Sequence, residues 1–328
     1  MINIVGGSGF IGTRLSQLLQ QRQLPFRIID KRRSDDFPDQ TVIADVRVPE
    51  QLMQAVDPGA TLINLAAEHR DDVRPISLYY DVNVQGAVNL CAAAEAKGVR
   101  KLLFTSSVAV YGFAPVGTDE SGLIQPFNDY GKSKAQAEEV LRQWQARAPA
   151  ERSLVIVRPT VVFGERNRGN VYNLLRQVAR GRFMMVGAGT NRKSMAYVEN
   201  VASFLIHTQN LPAGVHVYNY IDKPDFSMNE LVSTIDAALG QPGRSRPRLP
   251  YAAGLLMGTL LDVVARISGR SFPISAIRVK KFCSDSSYST AVGQTGFHAP
   301  VPLGDALSRT IRHEFVEQHT DRPLFYSE

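Results

Sequence analysis

A doubly wound parallel α/β sheet with a smaller C-terminal α/β lobe is the architecture this 328-residue chain predicts. Three observations carry that reading. Short apolar strands alternate with amphipathic helices from the first residue, a glycine-rich loop joins the first strand to the first helix, and beyond Arg158-Pro159 the alternation loosens into glycine turns. The strands are expected at 2–5, 26–29, 42–44, 62–65, 101–105 and 153–157, each apolar along its length, as strands covered on both faces require. Helices are expected near 10–21, 49–56, 76–97 and 129–145. These elements form a first domain over residues 1–163, and a second lobe over 164–328 has helices near 172–180 and 229–239, with some segments returning to the first domain. Residues 240–250, with two glycines and three prolines, read as an exposed connection.

The apolar stretch 251–261 opens a helix expected near 251–267, is interrupted by Asp262 and Arg266, and falls short of the roughly 20 residues that cross a bilayer. It reads first as a packed helix and in the alternative as a membrane-surface helix. No signal-peptide pattern opens the chain, and only Cys91 and Cys283 occur, far apart, so a reduced, cytoplasmic protein is expected. Six scattered histidines show no ligand spacing, so no metal is expected. The net charge of +6 favours anionic partners. Its basic clusters are short and no nucleic-acid-binding signature accompanies them, so nucleotide phosphates suffice as partners and no nucleic acid is expected.

The loop Gly6-Gly7-Ser8-Gly9-Phe10-Ile11-Gly12 has glycines at 6, 9 and 12. Missing side chains there let the backbone and the helix N-terminus approach a pyrophosphate, the hallmark of a Rossmann-type dinucleotide site. Asp30, at the end of the second strand, is placed to accept hydrogen bonds from the adenosine ribose, which favours NAD. Lys31, Arg32 and Arg33 beside it suit the 2′-phosphate of NADP, so both cofactors stay open. Tyr130 and Lys134 stand four residues apart, on one helical face. The hydroxyl-rich run from Thr105 to Ser107 lies just past a central strand, where ligands sit in open α/β sheets. The reading is that Lys134 lowers the Tyr130 pKa, Tyr130 exchanges a proton with a substrate hydroxyl as hydride moves, and Ser107 hydrogen-bonds the substrate oxygen.

On GGSGFIG (6–12), Asp30, Asp45-Val46, Leu65-Ala66-Ala67, Asn83-Val84-Gln85-Gly86, SSVAVYG (106–112), YGKSK (130–134) and Arg158-Pro159, the chain resembles the extended short-chain dehydrogenases/reductases. The closest likeness is to their NAD-dependent epimerase/dehydratase group acting on nucleotide sugars. The resemblance implies that Asp45 and Val46 flank the adenine and that Ala66 and Ala67 line the cofactor channel. It further implies that Leu65, Asn83 and Pro159 contact the cofactor, that Lys134 holds the nicotinamide ribose, and that the chain forms a homodimer. Ser107-Val108-Ala109 stands where sugar dehydratases have Thr-Asp-Glu, which disfavours dehydration. Asn170 and Lys193 match the positions that grip a substrate diphosphate.

The implied activity is interconversion of hydroxyl and ketone on a nucleotide sugar, by a C4 epimerase or a 4-ketoreductase. Val161, where many sugar 4-epimerases have Asn, and a C-terminal third closer to the reductase and hydroxysteroid-dehydrogenase branches tilt this toward a reductase that exchanges its cofactor. The alternatives are a dehydrogenase of a non-nucleotide, hydroxysteroid-like alcohol and a non-catalytic dinucleotide-binding protein.

Overall fold

The computed structural model describes residues 1–70, 73–268, 275–319 and 323–326; residues 327 and 328, at the end of the expected second lobe, lie outside them. The first half runs β1 (Ile2–Val5), α1 (Phe10–Gln21), β2 (Phe26–Asp30), β3 (Thr41–Ile43), α2 (Pro49–Ala55), β4 (Thr61–Asn64), α3 (Ser77–Tyr80), α4 (Gly86–Ala96), β5 (Lys101–Thr105), α5 (Asp129–Ala146) and β6 (Ser153–Pro159). The second half runs β7 (Val161–Phe163), α6 (Asn170–Ala179), β8 (Met185–Val186), β9 (Arg192–Tyr197), α7 (Val198–Thr208), β10 (Gly214–Tyr220), β11 (Asp222–Ser227) and α8 (Met228–Ala238). It ends with β12 (Arg248–Leu249), α9 (Tyr251–Ser268), α10 (Ala276–Cys283) and α11 (Leu303–Phe315).

Among the described residues the main sheet has seven strands in the order β10-β6-β5-β4-β1-β2-β3, every pair parallel. Alternation along each strand builds its two cores. Val5, Leu62, Phe104 and Ile156 pack on one face with Leu90, Leu141 and Trp144 from α4 and α5. Ile4, Ile63, Leu103 and Val155 pack on the other with Leu15 and Leu19 of α1 and Phe204 and Leu205 of α7. Strand order reverses between β1 and β4, and such a switch point opens a crevice at the carboxyl ends of the strands. A third core joins α6, α8, α11 and β9 through Leu175, Leu231, Ile235, Leu307 and Met195.

Two elements differ from expectation. The single helix expected over 76–97 is broken by a π turn, Asp81–Gln85, which turns Asn83 inward. The proline-rich connection contains β12, parallel to β8. It can pair because Pro247, which has no N–H, supplies only its carbonyl, accepting from Met185 at 3.2 Å, while Leu249 accepts from Gly187 at 2.9 Å. Among the described residues no helix is long and apolar enough to cross a membrane.

Candidate active site

A cavity of about 810 Å³ opens where the crevice predicts it. Its floor is the turn from β1 into α1. Gly6 has φ +77°, and a Cβ there would lie 2.5 Å from the Ala66 nitrogen; a Cβ on Gly12 would lie 2.4 Å from the Gly7 carbonyl oxygen. The fold itself therefore demands those two glycines. Gly9 is different: its added Cβ would meet only the Gly6 oxygen at 3.4 Å, an ordinary contact, so the bare backbone serves what approaches it from the cavity. Gly9, Phe10, Ile11 and Gly12 line the wall, and the first-turn N–H groups of α1 have no intrahelical partner.

Asp30 lines the cavity beside Lys31 and Arg32. Its two carboxylate oxygens accept from the backbone N–H groups of Ser8 and Arg32, each at 3.0 Å, so it also fixes the shape of the glycine loop. Each oxygen keeps a lone pair for a ribose hydroxyl. Asp45 and Val46 lie further along the same wall. Asp45 is gripped by Arg47 through Nε at 3.0 and 3.1 Å and a second nitrogen at 2.6 Å. That hydrogen bonding holds its carboxyl below the usual range. Leu65, Ala66, Ala67 and Pro159 complete this half.

At the other end Ser107, Tyr130 and Lys134 meet. Asn128 caps α5, its side-chain oxygen accepting from the Gly131 N–H at 2.9 Å, and this starts the helix one residue before Tyr130. The Ser107 hydroxyl accepts from the Ala109 N–H at 3.1 Å. Burial pushes the Tyr130 phenol up to about 12, and its hydrogen bond with Ser107 pulls the other way. Lys134 is 2% exposed, donates to the Thr105 carbonyl at 2.6 Å and lies 4.3 Å from the Phe104 ring centroid. The expected lowering of the tyrosine by Lys134 is thus corrected: the ammonium is turned to a backbone carbonyl, and burial governs the phenol.

Burial also pulls Lys134 down to about 7, opposed by Glu138. Its folded value lies below the ordinary 10.5, so between those two values the unfolded chain binds more protons. The cost of burying the charge is full below pH 7 and is relieved as pH rises through that window. We expect the parent protein, without cofactor, to gain stability from pH 7 to 10 relative to Lys134→Met; parallel denaturation curves for the two proteins across that range would contradict this.

Beneath these residues lies a buried polar network that spacing did not reveal. Arg158 grips Glu138 through Nε at 2.9 Å and a terminal nitrogen at 2.6 Å, and Ser106 donates to the same carboxylate at 2.5 Å. Arg158 also donates to the Tyr111 hydroxyl at 2.7 Å, which donates to Asn219 at 2.8 Å. His69, Thr105, Phe113, Val116, Phe127 and Lys281 also line the cavity and were missed. The sequence signal for Thr105 was the hydroxyl-rich run at the carboxyl end of a central strand.

Two expected contacts move. Asn83 does not line the cavity: its oxygen accepts from the Glu68 N–H at 2.8 Å, and its amide donates to the Glu68 carbonyl and the Ser133 hydroxyl at 3.0 and 2.9 Å. It braces the wall and α5. Asn170 opens α6 outside the lining, and Asn167, on the loop before it, takes the place at the cavity. Lys193 does line it, donating to the Lys281 and Ser284 carbonyls at 2.9 and 2.7 Å. Burial lowers its pKa.

These walls fit a dinucleotide: a bare helix N-terminus for a pyrophosphate, the Asp30 carboxylate for a ribose, and the buried Thr105 hydroxyl, which has no partner among the described residues. The model of the NAD dependent epimerase/dehydratase family matches residues 2–219. The chain is 52% identical over 329 residues to the N-acetyl-α-D-glucosaminyl-diphospho-ditrans,octacis-undecaprenol 4-epimerase of Escherichia coli O157:H7, covering 99% of this chain and 98% of that protein. It is 28% identical to the UDP-glucose 4-epimerase of Vibrio cholerae, covering 82% and 85% of the two. The solved structure of MoeE5 in complex with UDP-glucuronic acid and NAD is 25% identical, with a TM-score of 0.73 over 95% of this chain and 98% of that one. Fold, glycine loop and sequence agree that the chain belongs to the NAD dependent epimerase/dehydratase family and is an NAD-dependent enzyme.

Proposed function

We propose that this protein is a C4 epimerase of an N-acetylhexosamine carried on a polyprenyl diphosphate. The observation that carries the reading is the 52% identity, end to end, to a relative named for that activity. The cavity mouth supports it. Lys193 and Lys281 put cations there for a diphosphate, while Phe113 and Phe127, stacked at 4.6 Å and exposed, offer an apolar wall with Val116 where an isoprenoid chain leaves. On this reading a polyprenyl group stands where the broader resemblance puts a nucleotide. The same reading removes the tilt toward a reductase, since the divergent C-terminal third is accounted for by a different substrate handle.

In the reaction, Ser107 orients the sugar O4 by a hydrogen bond and Tyr130 accepts its proton while the C4–H bond breaks. When bound, NAD supplies the acceptor and donor of hydride. The cavity must leave room for the 4-keto sugar to turn over, and Tyr130 returns the proton to O4 as the ketone is reduced on its opposite face. Asp30 and the glycine loop would hold the cofactor, Lys134 would anchor its ribose, and Asn167 and Lys193 would take the diphosphate. An epimerase regenerates its cofactor at every turn, so it has no need to release it.

The test uses the purified protein with no added cofactor. N-acetylglucosamine on a short-chain polyprenyl diphosphate should convert to its 4-epimer, and UDP-N-acetylglucosamine should be poorer by about 100-fold in kcat/KM, roughly 2.7 kcal/mol of transition-state binding. Equal or better turnover of the UDP-sugar would return the substrate to the nucleotide class.

A further inference from the structure

The hairpin of α9 and α10 is built inside out for a helix pair in water. Gly254 and Gly258 of α9 face the protein: a Cβ at Gly254 would lie 2.8 Å from the Val186 side chain, and one at Gly258 2.8 Å from the Ala276 nitrogen. Asp262, half-buried, accepts from that same Ala276 N–H at 3.0 Å and pins α10 against α9. The large apolar residues point the other way. Leu256, Leu260 and Val264 follow each other at four-residue spacing with Val263 between, on one face, and are 63, 58, 46 and 49% exposed. Met257 and, on α10, Ile277 extend the patch. A soluble surface helix turns its Leu and Val inward and its small or charged residues outward. This one does the reverse, so a partner must cover it.

Charge identifies the partner. Between Gln241 and Cys283 the sequence has eight Lys or Arg and one acidic residue, Asp262, an excess larger than the net +6 of the whole chain. Arg244, Arg248, Arg266, Arg278, Lys280 and Lys281 among them are exposed. A second copy of this chain would bring the same cations against each other, whereas an anionic lipid surface complements them and accepts the leucines between its headgroups.

We propose that α9 and α10 dock this protein on an anionic bilayer surface, with the apolar face of α9 in the headgroup region. Lys281 places α10 at the cavity mouth, so docking presents that mouth to the membrane. The docking follows from helix and charge alone; its service to the active site rests on the lipid-linked substrate proposed above.

Flotation of the full-length protein with vesicles, in the absence of substrate, tests it. The parent should float with phosphatidylcholine vesicles containing about one-third phosphatidylglycerol, and much less with pure phosphatidylcholine or in high salt. Leu256→Glu/Leu260→Glu should lower binding at least about tenfold, and Arg278→Glu/Lys280→Glu should erase the preference for anionic vesicles. Both variants should keep the parent melting temperature and bound NAD. A parent that fails to float, or a Leu→Glu variant that floats like the parent, overturns the proposal. So does a parent dimer that the variant splits while neither binds vesicles, since the occupant is then a second copy. Vesicle binding without turnover of the lipid-linked sugar leaves the docking standing and removes the substrate reading alone.

Discussion

Tyr130→Phe should lower kcat by about 10³-fold or more while leaving NAD affinity within about threefold. The substitution removes one oxygen at the cavity wall and keeps the ring, which packs 6.4 Å from the Tyr79 ring, so the fold has no reason to change. What disappears is the group that moves the proton on and off O4. The phenol is pushed up to about 12 by burial, which makes it a reluctant acid in the free protein and an avid acceptor once ionised. Ser107 supplies the stabilising hydrogen bond in the protein itself, and the positive charge of oxidised NAD adds to it when present. Ser107→Ala should therefore also cost activity, by less than Tyr130→Phe, because it weakens the activation and leaves the acceptor in place. Steady-state turnover with lipid-linked N-acetylglucosamine, alongside NAD content by absorbance, separates the two roles. Turnover of Tyr130→Phe within tenfold of the parent would remove Tyr130 from the proton path.

What could be read from the residues was what local spacing controls. The glycine loop and the tyrosine–lysine pair each sit within one turn of one element, where period and sterics fix the geometry. The parallel sheet was legible because strands covered on both faces are apolar throughout, and β1, β4, β5 and β6 are buried on both sides. Asn83 was expected at the cofactor on the family resemblance alone, and the π turn over Asp81–Gln85 carries its side chain to Glu68 and Ser133 instead. Asn170 missed the cavity by three residues, for it opens the helix and the loop before it turns Asn167 inward. The orientation of α9 was undecided because apolar content does not say which face points out. Gly254 and Gly258, four apart, were the signal, since two glycines on one face mark close approach of backbone.

The hardest feature to foresee joins α5 to β6 across 20 residues, and it carries the other large effect. Glu138→Ala should destabilise the protein by about 3–5 kcal/mol, because it strands the Arg158 guanidinium, 3% exposed, with no carboxylate to balance it. Ser106 loses its acceptor at the same time. Glu138→Gln should also lower the melting temperature, since it removes the same charge and sets an amide donor against a donor, but by less than the alanine variant because it keeps the volume and one oxygen acceptor. It should still alter catalysis, for Glu138 is the charge that resists the downward pull of burial on Lys134. Without it the ammonium loses its proton at lower pH. If the charged form of Lys134 is what anchors the cofactor ribose, activity must fall at lower pH on the alkaline side than in the parent. The measurement is kcat against pH for parent and Glu138→Gln, both carrying NAD. A shift of the alkaline limb toward neutrality assigns Glu138 a positioning role through Lys134. Superimposable profiles, with only the melting temperature lowered, would leave the network a purely structural brace beneath the site.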